Sequence, residues 1–251
     1  MVKGLDKFKD YFEDYTNQYI LIGGTACDII MDEYGIPFRA TKDLDIVLFL
    51  EVLDISFGKM FWRFIEAGGY ETRLKSSGEK QFYRFTDPIN SEFPKMIELF
   101  SRSPLSFELE YDNGLAPIHI SDDIKSLSAI LLNYDYYDLL KKGQKEISGC
   151  SILSTEILIL FKIKAWLDLK LKKEKGEPVD SHDIKKHKND VFRLLNIIDP
   201  TLKISLNDKI KNDVNQFLDL VVNDRPDLKN LKLEHSRFDD FIELIAKVYL
   251  F

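Results

Sequence analysis

Residues 20–50 read ILIGGTACDIIMDEYGIPFRATKDLDIVLFL. A doubled glycine, Gly23-Gly24, closes one apolar run, and Asp43-Leu44-Asp45 opens the next. If both runs are strands, side chains alternate faces, so Asp43 and Asp45 project together while Leu44, Ile46 and Leu48 face a core. Two carboxylates roughly 7 Å apart on one strand face repel each other, and aspartate is a poor strand former. A hard dication removes the repulsion, and Mg²⁺ is typically held by one or two carboxylates plus substrate phosphates. The plain alternative is a pair of exposed acids at a strand end. Gly-Gly ahead of a helix lets backbone N–H groups approach a phosphate at the helix N-terminus, and Thr25 adds a hydroxyl donor. A lone Gly-Gly is also what any tight strand-to-helix turn uses. The two features are informative together, in successive strand, helix and strand.

The combination GGTACDII…FRATKDLDIVL resembles the nucleotidyltransferase superfamily of the DNA polymerase beta type. The Arg-x-Thr-x-Asp-x-Asp run, here Arg39, Thr41, Asp43 and Asp45, looks most like the AbiEii-type branch linked to toxin–antitoxin and abortive-infection systems. The resemblance implies an α+β fold, with a nucleotidyltransferase-like mixed β-sheet, flanking helices and a helical C-terminal region. It implies two Mg²⁺ ions as cofactors. The activity implied is transfer of a nucleoside monophosphate from a nucleoside triphosphate to a hydroxyl acceptor, with release of pyrophosphate. Asp43 and Asp45 would hold metal, Gly23, Gly24 and Thr25 would cradle phosphates, and Arg39 and Thr41 would complete the nucleotide site. A cognate antitoxin protein is an expected partner on the same ground. The acceptor stays open among RNA, protein and a small alcohol.

The superfamily uses a third acid on a neighbouring strand, where it helps hold a metal and can take the hydroxyl proton. KMIELFS offers Glu98, and LSFELEY offers Glu108 and Glu110. Glu98 is the choice, because Ile97 and Leu99 share one face and leave it on the other, where a lone acid needs a partner. An ordinary surface glutamate is the plain alternative.

In ILILFKIKAWLDLK, the helical neighbours of Lys164 include Asp168, whereas those of Lys162 are Leu158, Ile159, Ala165 and Trp166. Lys162 therefore either snorkels to water or reaches a buried anion. The AbiEii-type branch has a similar Lys-x-x-Ala helix, which implies that Lys162 reaches nucleotide phosphates. In SHDIKKHKNDVFRLL, residues Asp183, Lys186, His187 and Asp190 share one helix face. That is a solvated face of ordinary i,i+4 pairs, or a face with Lys186 on phosphate and Asp183 or Asp190 orienting it. Lys170 stands where the branch more usually has arginine.

The chain has 251 residues, enough to bury a core in one large or two small domains. The net charge of −7 supplies no global field for nucleic acid, so any such contact needs a local basic patch. The runs KLKKEKG and KKHK are more often solvated surface. Cys27 and Cys150 read as reduced buried thiols. The opening MVKGLDKFKDYFEDY is charged and amphipathic, not a signal peptide. No segment reaches the apolar length of a membrane span. A cytoplasmic protein with no membrane partner is expected.

Strand patterns dominate the first half and helical ones the second. The division is placed as a catalytic domain over 1–121 and a mainly helical domain over 122–251. EISGCSIL reads as a short strand-like piece, and STEILILFKIKAWLDLKLKKEKG as the clearest helix, capped by Ser154 or Thr155. A second function class remains beside the enzyme: a catalytically inactive nucleotide- or protein-binding module of the same fold. The position of Glu98 relative to the aspartates separates the two.

Overall fold

The computed structural model describes residues 2–74, 80–101, 107–111, 114–118, 130 and 133–251. The fold is α+β, a mixed sheet with helices, and it divides into two compact units. The first comprises Met1–Leu132 with Gln144–Leu153, the second Asn133–Gly143 with Ser154–Phe251. Among the described residues no helix is long and apolar enough to cross a membrane.

The first unit opens with α1 (Leu5–Phe12). Strand β1 (Tyr19–Ile22) follows and runs directly into α2 (Gly23–Glu33). Then come β2 (Asp43–Leu48), α3 (Ile55–Gly68), β3 (Glu71–Leu74), β4 (Lys80–Thr86) and β5 (Met96–Phe100). A separate hairpin pairs β6 (Phe107–Tyr111) with β7 (Gly114–Ile118). The 121/122 division lies outside the described residues; helix α4 (Tyr134–Lys142) belongs to the second unit.

EISGCSIL is a hairpin rather than one strand: β8 (Gln144–Ile147) and β9 (Cys150–Leu153). Ser148 and Gly149 between them both have positive φ (51° and 75°), the requirement of a two-residue turn matched to strand twist. The hairpin returns to the first unit and completes a seven-stranded sheet in the order β3-β4-β5-β2-β1-β9-β8. The β2–β5 and β1–β9 pairs are parallel and the others antiparallel. All four residues of β1 are buried, as a run apolar on both faces requires of a central strand.

Aromatic rings fill the core of this unit: Phe8, Phe12, Tyr19, Phe57, Phe61 and Phe64 meet in edge-on, tilted and stacked pairs, each adding about 0.5–1.5 kcal/mol beyond its buried area. Helix α3 is started by Asp54, whose carboxylate accepts from the Phe57 N–H (2.8 Å) and from Gln18 Nε2 (2.8 Å). That cap fixes where α3 begins relative to the residue preceding β1.

The second unit is helical: α4, α5 (Thr155–Glu174, with Ser154 at the N-cap position), α6 (Ser181–Leu195), α7 (Asp208–Val221) and α8 (Phe238–Tyr249). Helices α6 and α7 start at Asp180 and Asn207, whose side chains accept from backbone N–H groups two and three residues on. Trp166, Phe192, Phe217 and Phe241 form its aromatic centre.

Candidate active site

The register of four strands lines up one row of residues. Arg84 of β4 pairs with Glu98 of β5, Glu98 with Asp45 of β2, and Asp45 with Ile22 of β1. Directly paired residues on adjacent strands project to the same face, with the strands about 4.8 Å apart. Glu98 therefore stands beside Asp45, and Asp43 lies one pleat along the same face of β2. Leu44, Ile46, Ile97 and Leu99 occupy the opposite face and are buried. Asp43 and Asp45 are part-exposed, whereas Glu98 is buried.

The doubled glycine is required by what lies against it. Gly23 has φ +69°, a conformation L side chains rarely adopt, and an added Cβ would lie 1.9 Å from Asp45 Oδ2. At Gly24 an added Cβ would lie 2.6 Å from Thr41 Oγ1 and 3.3 Å from an Arg39 terminal nitrogen. The segments Gly23-Gly24, Arg39-x-Thr41 and Asp43-x-Asp45 thus converge, because only a residue without a side chain leaves room for them. Thr25 is fully buried, and its hydroxyl donates to the Asp43 carbonyl oxygen (2.6 Å). That bond fastens the first turn of α2 to the start of β2, so the donor that the sequence assigned to phosphate is used inside the fold. The Arg39 guanidinium lies 5.1 Å from the Phe38 ring centroid, a cation–π contact.

Arg84 is the residue the sequence reading missed. Its Nε donates to Glu98 Oε1 (2.5 Å), and the guanidinium forms an ion pair with the same oxygen. In KQFYRFT nothing marks this arginine until the β4–β5 register is known. Among the described residues no group of three or more His, Cys, Asp and Glu is arranged to hold a metal. The donor chemistry of Asp43 and Asp45, part-exposed oxygens on one strand face, suits a hard dication completed by substrate phosphates. Glu98 is held by Arg84 at the next strand. Glu108 and Glu110 fall on β6, in the separate hairpin.

In the second unit, Lys162 is buried and donates to Asp190 Oδ2 (3.1 Å). Asp190 is fully buried and also accepts from Arg193 (3.2 Å). Of the two options for Lys162, water or a buried anion, the structure gives the anion, and here that anion is Asp190. Lys186 pairs with Asp183 (3.0 Å), one turn back. Lys186–Asp190, an i,i+4 pair on paper, is replaced because Asp190 turns inward to Lys162. His187 lies in the same neighbourhood. Burial, followed by the positive charges of Lys162 and Lys186, pushes its imidazole down to about 3 against the opposing pull of Asp190 and Asp183. Lys170 stacks over Trp166, 4.7 Å from the ring centroid.

Comparison with known proteins gives no match: no family model fits the chain, and neither a curated protein nor a solved structure matches it.

Proposed function

We propose that the protein is a metal-dependent nucleotidyltransferase of the DNA polymerase beta type, close to the AbiEii-type branch. It would move a nucleoside monophosphate from a nucleoside triphosphate to a hydroxyl acceptor. The observation that carries this reading is the position of Glu98, in register with Asp45 and on the face that Asp43 and Asp45 share. Three acids from two strands beside a glycine turn are the constellation that such a transfer needs.

In this mechanism Asp43 and Asp45 would hold Mg²⁺, which would supply positive charge against the triphosphate oxygens. The backbone at Gly23 and Gly24, at the start of α2, receives phosphate oxygens on its N–H groups. Arg39, roofing Gly24, adds a positive charge where negative charge develops. The acceptor oxygen bonds to the α-phosphorus, the bond to the pyrophosphate oxygen breaks, and Glu98 accepts the hydroxyl proton. Arg84 holds the Glu98 carboxylate in place until then. The step as written uses no residue of the second unit, where Lys162 is paired with Asp190.

One observation favours a second reading. Arg84 already neutralises Glu98, as it would in a nucleotide-binding module without turnover, one that acts as a regulatory partner in a two-gene system.

The test is transfer from α-labelled nucleoside triphosphates into total RNA and cell lysate, with Asp45→Ala alongside. Labelled product that requires Mg²⁺ and disappears in Asp45→Ala supports the transferase. Thermal stabilisation by triphosphate and Mg²⁺ without labelled product selects the binding module. Product that persists in Asp45→Ala overturns the mechanism.

A further inference from the structure

Strand register puts Asp43, Asp45 and Glu98 on one face of the sheet, yet among the described residues no three acids are arranged to hold an ion. Glu98 differs from the two aspartates in what stands beside it. Strand β5 lies between β2 and β4, so Glu98 has Asp45 on one flank and Arg84 on the other. Arg84 Nε donates to Glu98 Oε1 (2.5 Å), and Nη2 forms an ion pair with the same oxygen. Two nitrogens of one guanidinium thus converge on a single carboxylate oxygen, in a pair that is largely buried.

A guanidinium stays protonated at any pH the folded chain meets, so this positive charge is permanent. Arg84 and Glu98 cancel, which leaves the two aspartates as the net charge of the four side chains. One dication balances them. A second dication on Glu98 would stand against the fixed guanidinium, where little water reaches to screen two like charges. Opening the pair to admit it would strand Arg84 without its carboxylate, and breaking a buried pair is strongly unfavourable.

We infer, on the metal-dependent reading above, that the site takes a single dication on Asp43 and Asp45, and that Arg84 is a built-in cation in the place of a second one. This departs from the two ions that the sequence resemblance implies. Arg84 is a positioning residue: it fixes the Glu98 carboxylate and supplies there the positive charge that a second ion gives a two-ion site.

Equilibrium dialysis of the full chain against Mn²⁺ counts the ions bound per chain, with inorganic triphosphate as a base-free stand-in for the nucleotide tail. One saturable ion is expected, and Asp45→Asn should lose it. Glu98→Gln should leave the count at one when Mn²⁺ is saturating, because Glu98 holds no ion. Arg84→Met should raise the count to two, and Arg84→Met/Glu98→Gln should return it to one. Arg84→Lys, which keeps the charge, should stay at one. An arginine that served stability alone would leave the count the same in all of these. Two ions in the natural chain, a count that falls in Glu98→Gln, or a folded Arg84→Met still at one would overturn the single-ion site and leave the transferase reading standing. No saturable ion in the natural chain, or an ion indifferent to Asp45→Asn, would overturn both. Thermal unfolding of each variant confirms that the count is taken on folded protein, and Glu98→Gln with Arg84→Lys decides the matter if Arg84→Met does not fold.

Discussion

The Asp45 carboxylate rests against the backbone of Gly23, so closely that a methyl group there would lie 1.9 Å from Asp45 Oδ2. Gly23→Ala therefore meets two obstacles. The left-handed backbone costs roughly 1–2 kcal/mol for an L residue, and the Asp45 side chain must swing away. The outcome expected is a modest loss in urea-denaturation stability, about 1–2 kcal/mol, with a complete loss of Mg²⁺-dependent triphosphate stabilisation. Preserved stabilisation by triphosphate would show that the position of Asp45 is immaterial.

Glu98 and Arg84 form a largely buried pair, with side chains 10% and 18% exposed. Removing one partner leaves the other charge poorly solvated. Glu98→Ala should destabilise the chain by about 3 kcal/mol, at the low end of values for broken buried pairs. Glu98→Gln keeps a hydrogen-bond acceptor for Arg84, so it should retain most of the stability while losing transfer. Denaturant melts of both variants and of Arg84→Met, arranged as a double-mutant cycle, give the coupling directly. Glu98→Gln with full transfer would remove Glu98 as the proton acceptor.

Lys162 and Asp190 form a second buried pair of comparable sensitivity. Lys162→Met leaves a fully buried carboxylate with its other mapped ion pair, to Arg193, as support. A loss of about 3 kcal/mol is expected, and Lys162→Met/Asp190→Leu should recover part of it, because neither charge is then stranded. A double variant no better than the single one would show that the intact pair itself supplies the lost stability, rather than that the single variant suffers from a stranded charge.

The pH dependence has a definite sign. His187 is held neutral by burial, its pKa falling from an ordinary 6.5 to about 3. Between these values the unfolded chain binds a proton there and the folded chain does not, so protonation favours unfolding. The contribution is intact above pH 6.5 and is lost as pH falls toward 3. Thermal melts from pH 7 to pH 4 should therefore show a drop in Tm that is smaller in His187→Leu than in the natural chain. Equal slopes would mean that His187 is protonated in the folded state.

The sequence exposed the parts of the site that obey a local period. Alternation along a strand put Asp43 and Asp45 on one face, and the same rule chose Glu98 over Glu108 and Glu110; the β2–β5 register pairs Glu98 with Asp45. Helical spacing likewise found Lys164–Asp168, an i,i+4 pair at 3.0 Å. Pairings between distant elements were hidden. Arg84 meets Glu98 only through the β4–β5 register, and Lys162 finds Asp190 on another helix, 28 residues away. EISGCSIL was read as one piece because it holds only the last two residues of β8 with all of β9, and the positive φ at both Ser148 and Gly149 turns the chain back.

The return of β9 to β1 also has a consequence for synthesis. Strand β1 is complete by Ile22, yet its parallel neighbour does not exist until Leu153 has been made. Between those moments the nascent sheet carries an open, wholly apolar edge, the kind of edge that recruits other chains. Helix α4, of the second unit, is translated inside that interval. A gene cut between Leu132 and Gln144 would therefore yield a sheet without β8 and β9, with that edge of β1 left open to other chains.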